Sequence, residues 1–585
     1  MPFYKKSISL LFILILTLLF YYSFLSRIWV AEDAYITFRH IQNFWEGYGL
    51  TFNPNSRTEG FTHPLWVFFL IFMSSFGLSL HFSSLLLGVF FTSMGMFILF
   101  YEFLYKKYQL HFLYKAVLII PFYFIIHDGF RDFWTSGMEF SLTFFLLTIL
   151  LSTIADQEIK KPMLVSFLLS MLYLNRPELG IFYIYYGIVI VLKKYQDSKF
   201  KIDVSFLRLV FQYLTPFLIL GGGYHLFRWF YYKDLFPTTF YAKSAKILWQ
   251  DGLYYVYYSF LHSPLLLPTL LIVLITWFFY KNKIQSKYFV RDLLPVGFHI
   301  LYLISIGGDF MAYRFILPDL VILYIYFFIY FSKIIKKESL LFSINILLFF
   351  TSIYFLFVQK IHTPVLGKNQ IVHEYRAYVN KTQNWKDKWF FVKHKWYDRG
   401  TIFKELQKCL EYEPFVITNS WLDAKCAPED DYGLGYFGFA AGPEVILIDQ
   451  LGITDKEVAL TGKTIWNRVG HNKSISTENV IKRKVLFCSL QHKEYDSIMN
   501  TNFFPIINLE PNFLFRLGSQ YPQKIQRLKE LYRKLQKTSI ENQEDQKVFY
   551  YLQLIETNYN IKILDLPISN PPEYKKYDTC WDLKI

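Results

Sequence analysis

Apolar and polar positions divide the chain into two unlike parts. Over residues 1–358 long apolar blocks alternate with short polar turns, in blocks such as 7–26, 82–105, 115–126, 138–154, 205–227, 265–280, 289–306, 315–331 and 340–358. A helix needs roughly 17–25 mainly apolar residues to cross the hydrocarbon of a bilayer, and most of these blocks reach or approach that length. The pattern predicts a transmembrane domain at 1–358 with about eleven spanning helices. The first block has the length of a signal peptide. It lacks a small-residue cleavage site and is followed directly by polar chemistry, so it reads as an uncleaved first span. The block 63–80, led by Pro64 and Trp66, breaks the alternation and reads as a helix lying at the outer interface. Beyond residue 358 the pattern changes. Residues 371–399 are basic and tryptophan-rich without a clear strand or long helix. Short apolar runs at 415–418, 445–448 and 485–488 predict buried strands. Residues 525–535, with apolar positions three and four apart, predict an amphipathic helix. The predicted class is therefore a polytopic α-helical membrane protein with an α/β cap domain at 359–585.

Composition agrees with the pattern. The chain is 53% hydrophobic and 21% aromatic with only 18% charged residues, and its mean hydropathy is +0.24. An ordinary soluble domain is about 25% charged. Lys5/Lys6, Lys106/Lys107, Lys160/Lys161, Lys193/Lys194/Lys199, Lys281/Lys283/Lys287 and Lys333/Lys336/Lys337 fall at every second turn. Lysine in short loops marks the cytoplasmic face. The intervening turns, 32–62, 128–139, 175–178, 233–262 and 307–314, then face outward, and so does the cap. The net charge of +15 partly expresses this bias and gives no reason to expect nucleic acid. All four cysteines (Cys409, Cys426, Cys488, Cys580) lie in the cap, which fits disulfides in an oxidising compartment, and their spacing matches no zinc signature. Cys409 and Cys426, which flank a predicted strand, are the first candidate pair among the three pairings possible.

The outward turns carry the chemistry. Glu32 and Asp33 stand together directly after the first span, where two carboxylates are costly unless paired, solvated or functional. Two readings fit. In one, Phe38, Ile41 and Trp45 lay a helix on the bilayer surface and the carboxylates cap its N-terminus. In the other, a carboxylate at the mouth of a membrane cavity acts as general base on a hydroxyl. Arg176, Arg314 and Arg131 sit at outer span ends, where a planar guanidinium suits a lipid phosphate. Snorkelling, or pairing of Arg176 with Glu178 and of Asp309 with Arg314, is the alternative, and it weighs most for Arg131. Glu59 and Glu139 suit acceptor binding, a structural ion pair, or a divalent cation held between carboxylates. His471 and Lys473 either lean over the cavity or are surface residues.

The run Glu32-Asp33-Ala34-Tyr35-Ile36-Thr37-Phe38-Arg39, then Asn43, Gly47, Gly49, Asn53-Pro54, Arg57, Glu59-Gly60, Thr62 and Pro64-Leu65-Trp66, resembles the opening of the terminal arabinofuranosyltransferases of actinobacterial cell walls and their relatives, of the GT-C superfamily. The resemblance continues through Phe133-Trp134-Thr135-Ser136-Gly137-Met138-Glu139, Asn175-Arg176-Pro177-Glu178 and Gly307-Gly308-Asp309-Phe310-Met311 with Arg314-Phe315. It ends with Asp449, Gly452-Ile453-Thr454-Asp455 and Gly470-His471 with Lys473. Together these span most of residues 31–475.

The resemblance implies a glycosyltransferase of the bacterial inner membrane with a periplasmic or extracellular cap. It would take a sugar from a polyprenyl-phosphate donor to a cell-envelope glycan or glycolipid acceptor. The catalytic base falls on Asp33, supported by Glu32. Arg176, Arg314 and Arg131 fall on the donor phosphate. Tyr35, Arg39, Glu59, His63, Trp66, Glu139, Glu178, Asp309, His471 and Lys473 fall on substrate binding. The family usually has Asp-Asp where this chain has Glu32-Asp33, and His63 stands where relatives often have a small polar residue. The alternatives are a transporter or flippase of lipid-linked sugars, against which the absence of a visible repeat argues, and a non-catalytic envelope assembly factor.

Overall fold

A computed structural model describes residues 17–54, 56–99, 127–154, 159–243, 248–263, 286–334, 371–379, 386–398, 416–418, 433–443, 446–464 and 473–474, with a few single positions between them. The expected strand at 485–488, the helix at 525–535 and all four cysteines lie outside the described residues.

The helices are α1 (Glu32–Trp45), α2 (Pro64–Ser74), α3 (Leu80–Ile98), α4 (Asp128–Phe133), α5 (Phe140–Ile154), α6 (Pro162–Asn175), α7 (Gly180–Asp197), α8 (Val204–Tyr232), α9 (Thr238–Lys243), α10 (Trp249–Leu261), α11 (Ser286–Ile306) and α12 (Leu317–Ile334). Among the described residues, α3 and α8 are long and apolar enough to cross a membrane. The 29 residues of α8 rise roughly 43 Å at 1.5 Å each. Along that helix Val204, Phe211, Ile219 and Phe230 are 66–83% exposed, an apolar surface that water would not tolerate and lipid would. Pro216 removes a backbone donor inside α8, and the turn that follows, Leu218–Gly222, widens to a π-helix. At 11 residues α2 is too short to span. It buries Leu65, Trp66, Val67 and Leu70 and exposes Phe68 and Phe72, with Phe76 exposed in the turn that follows.

Two of the expected strands are present beyond residue 400. β1 (Val416–Thr418) and β2 (Ile446–Ile448) pair in parallel, Val416 opposite Ile446. A parallel pair needs a crossover, and α14 (Leu434–Ala441) lies within it, following α13 (Glu374–Tyr378) in the chain. After α15 (Lys456–Thr461), β3 (Lys463–Thr464) pairs antiparallel with β4 (Lys473–Ser474).

The helix α1 does not lie on the bilayer as its apolar spacing suggests. Phe38 and Ile41 are fully buried, and of the three residues expected to face lipid only Trp45 is exposed. The cause is α14, which packs along α1. Tyr436 donates a 2.6 Å hydrogen bond to the Val30 carbonyl, and the Gly435 amide donates to the Glu32 carboxylate. A Cβ at Gly435 would collide with the Glu32 carbonyl, so glycine sets how closely the two helices approach.

Candidate active site at the outer helix ends

Three of the turns expected to face outward meet beneath the start of α1. The Ala31 amide donates to the Ser136 carbonyl at 2.7 Å and the Trp66 indole to the Gly137 carbonyl at 2.9 Å, which knits turn 133–139 to α1 and α2. Asn175 reaches the Glu139 carbonyl at 3.0 Å and the Thr143 hydroxyl at 2.8 Å, bringing the Arg176 turn to Glu139. The turn 307–316 is shaped by Gly308, at φ +73° against the Tyr255 ring. It is also shaped by Tyr313, a non-glycine residue at φ 69°, a conformation that costs of order 1–3 kcal/mol. Backbone pairing of Met311 with Val372 fastens this turn to the segment before α13.

At the centre lies Arg314, buried. Its Nη1 is 3.1 Å from Asp33 Oδ2 and 3.9 Å from Asp309 Oδ2. Its guanidinium lies 5.8 Å from the centre of the Phe315 ring, and that of Arg176 lies 4.9 Å from it. Arg176 holds Glu139 at 2.8 Å and also pairs with Glu178. His63 Nδ1 faces Glu139 Oε2 at 3.5 Å, and its Nε2 meets the Thr37 hydroxyl at 3.0 Å. Asp33 alone in this set opens outward, its side chain 26% exposed.

Burial raises a carboxyl's pKa, but at Glu139 the charges of His63, Arg176 and Arg314 outweigh it and hold the group down to about 2. Burial, with Arg314 and Arg176 nearby, lowers His63 despite Glu139 and Asp33. Burial raises Asp309, against Arg314 and Lys243. His63 Nδ1, Glu139 Oε2, Asp309 Oδ2 and Arg314 Nε are buried without a hydrogen-bond partner. Buried polar groups are satisfied in the great majority of cases, so orphans gathered at one place point to a ligand.

The remaining expected residues lie elsewhere. Arg131 pairs with Asp128 at 3.8 Å and donates to Ser26 at 3.2 Å, inside a network with Arg27 and Asp132. Arg39 is fully buried and donates to the carbonyls of Phe52, at 2.7 Å, and of Gly438. Tyr35 donates to His81 at the outer end of α3, within an aromatic cluster that includes Tyr436 and Phe439. Glu59 is held by Arg228 at 2.5 Å and Tyr224 at 2.7 Å. Glu59 and Glu139 thus each belong to their own arginine. Among the described residues no three His, Cys, Asp or Glu side chains converge as metal ligands. Lys473 stands in β4, and His471 lies outside the described residues. In the motif at 449–455, Asp449 accepts from the Leu451 amide at 2.9 Å and the Thr454 amide at 2.8 Å, closing a turn.

Sequence reasoning missed three residues here: Phe315 as the platform between two arginines, Tyr255, whose hydroxyl accepts from the Phe315 amide at 3.1 Å, and Lys243, whose charge acts on Asp309. Phe315 and Lys243 were visible as the residue after Arg314 and a lysine in the outward turn 233–262. Tyr255 sits in a tyrosine-rich helix with nothing to single it out.

No family model matches the chain, and no solved structure matches it. Among curated proteins it is 27% identical over 343 residues to a terminal beta-(1->2)-arabinofuranosyltransferase of Corynebacterium glutamicum, covering 50% of this chain and 47% of that protein. The chain therefore spans about half the length of the curated relative it matches. The likeness to terminal arabinofuranosyltransferases read from the outward motifs is thus met by similarity to one such protein.

Proposed function

We propose that this protein is an integral-membrane glycosyltransferase moving a sugar from a polyprenyl-phosphate donor to a cell-envelope glycan or glycolipid acceptor on the outer side of the membrane. The observation that carries the reading is the cluster around Arg314: two arginines on one aromatic ring, orphaned polar atoms beside them, and a single carboxylate open to the outside. Arg314 and Arg176 suit the donor phosphate, because a guanidinium stays charged and forks onto two oxygens. In the transfer step an acceptor hydroxyl oxygen bonds to the anomeric carbon while the bond from that carbon to the phosphate oxygen breaks. The hydroxyl proton passes to Asp33, and polyprenyl phosphate leaves with the bonding pair. Glu139 holds Arg176, and His63 stands behind Glu139. The relative's printed name supports sugar transfer and a pentose as the first donor to try.

The test is turnover by the purified full chain of synthetic polyprenyl-phosphate sugars, a pentofuranose and several hexoses, with an oligosaccharide acceptor. Release of polyprenyl phosphate together with an elongated acceptor is expected. Donor bound but never consumed, together with transport of a lipid-linked sugar across a vesicle, would replace this reading with the flippase.

A further inference from the structure

From residue 386 to 396 the chain reads Lys-Asp-Lys-Trp-Phe-Phe-Val-Lys-His-Lys-Trp, four lysines against one carboxylate with aromatic residues between them. The structure fastens this segment to the first turns of α3. Trp389 and Phe390 both lie against Phe82, and the Phe390 ring stacks on it with centres 5.7 Å apart. The Lys388 carbonyl accepts from His81 Nε2 at 2.8 Å. Held in this way, Phe390 and Phe391 are nevertheless 64% and 47% exposed, and Lys386, Lys393 and Lys395 are exposed around them. Phe76, in the turn that enters α3, also exposes its ring. Large apolar side chains left open together mark a contact with a membrane or with another protein.

We propose that residues 386–395 rest on an anionic lipid surface at the Leu80 end of α3. Phe390 and Phe391 enter the boundary between headgroups and acyl chains, and Lys386, Lys393 and Lys395 meet lipid phosphates. Position carries the case. Among the described residues α3 is one of two helices long and apolar enough to cross a membrane. Its first turn then lies where hydrocarbon gives way to headgroups, and a segment held against Phe82 lies at that level too. Aromatic rings collect at this boundary, and lysines beside them are drawn to anionic phosphates. The exposed ring of Phe76 at the same end of α3 extends the apolar surface beyond the segment. The contact also reaches inward. His81, which takes the Lys388 carbonyl, meets the Tyr35 hydroxyl through its other ring nitrogen at 2.7 Å. A lipid surface under the segment therefore braces α1, whose first turn carries Asp33, whichever chemistry the Arg314 cluster performs.

The experiment places the photoreactive residue p-benzoylphenylalanine at Phe390, and separately at Phe391, in the full chain. The chain is reconstituted into nanodiscs of phosphatidylcholine alone or of an equal mixture with phosphatidylglycerol. Irradiation followed by mass spectrometry of the adducts reads what touches each ring. Lipid adducts are expected at both positions, with phosphatidylglycerol favoured in the mixed disc. Lys386→Gln, Lys393→Gln and Lys395→Gln, made together, should lower that preference at least about fivefold, the worth of one lysine near an anionic surface. The substituted side chains are exposed, and melts that match the unsubstituted chain check that the fold is kept. Should the triple variant fail to fold, the adducts of the otherwise unaltered chain still decide. Adducts to other segments of the chain in place of lipid would mean that protein covers these rings, and would overturn the proposal. So would the absence of any lipid adduct, or a preference for phosphatidylglycerol that survives the three substitutions.

Discussion

Two buried clusters of arginine and carboxylate occupy the turns at the ends of the helices, built from the same residue types. In the first, Arg27 grips Asp132 at 2.6 Å and Asp128 at 2.8 Å, Arg376 adds a 3.3 Å contact to Asp128, and the Tyr375 ring covers the guanidinium at 4.7 Å. The Trp29 indole donates to the Asp132 carbonyl at 2.6 Å. Only Arg131 Nε is left without a hydrogen bond there. In the second, around Arg314, five polar atoms, Arg176 Nη2 among them, lack a hydrogen bond and one carboxylate is open. A satisfied network staples loops together, and a partly satisfied one is costly unless something else completes it. The first cluster joins residues 27–29, turn 128–132 and the segment 375–376, and the second is where a substrate would close the hydrogen bonding.

Breaking the open cluster at its exposed carboxylate has the largest expected effect. Asp33→Asn preserves shape and removes the base, so transfer should fall by roughly 10²–10⁴-fold, the usual worth of a positioned general base. Expression, insertion and donor binding should stay normal. Transfer at the wild-type rate would move the base elsewhere, and failure to fold would make Asp33 a structural cap.

Next come the arginines, where the two clusters should part. Arg27→Ala leaves Asp132 and Asp128 without their main partner and should cost stability, about 3–5 kcal/mol, the usual loss for a broken buried pair. Donor affinity per folded molecule should not change. Arg314→Ala and Arg176→Ala should weaken donor binding more than folding, and lysine should be a poor substitute because it lacks the fork. Thermal melts and donor titrations on the same preparations separate the cases. Equal loss of donor affinity across both clusters would erase the distinction.

Glu32→Gln should cost less than Asp33→Asn, since Glu32 accepts from the Gly435 amide at the start of α14 and an amide oxygen can still accept. Assay of transfer beside a melt would show it.

The smallest effect is a drift with pH. Burial pushes His40 down to about 4, and burial with Arg376 does the same to His373. Free imidazole titrates near 6.5, so on acidification the unfolded chain takes up protons first. Stability contributed by these neutral histidines should therefore be complete above about pH 6.5 and be lost progressively down to about pH 4. Melting temperatures across that window measure it, and His40→Gln should flatten the slope.

Part of this arrangement was readable in the sequence. Span-length apolar blocks announced the helices, α3 and α8 among those described, and Asp33, Arg176 and Arg314 were marked by their places at outer boundaries. Strands at 416–418 and 446–448 followed from short apolar runs. What stayed hidden depends on pairing across long separations. Arg131 and Arg314 look alike in sequence, and only their partners separate a staple from a site. Glu59 is claimed by Arg228, 169 residues away, from inside an apolar helix. The spacing of Phe38, Ile41 and Trp45 fits a helix on lipid as well as one beneath another helix, because periodicity reports an apolar face and not what covers it.

The clasp between α1 and α14 sets an order in time. Arg39 meets Gly438, and Glu32 meets Gly435, across 399 and 403 residues. The Asn53 amide reaches the Leu447 carbonyl across 394. During synthesis the first outward turn emerges with its polar groups long before these partners exist, and contacts of such high sequence separation are slow to form. The turn that carries Asp33 is therefore finished late, and a chain halted before residue 434 would leave Glu32 and Arg39 without the backbone groups that complete them.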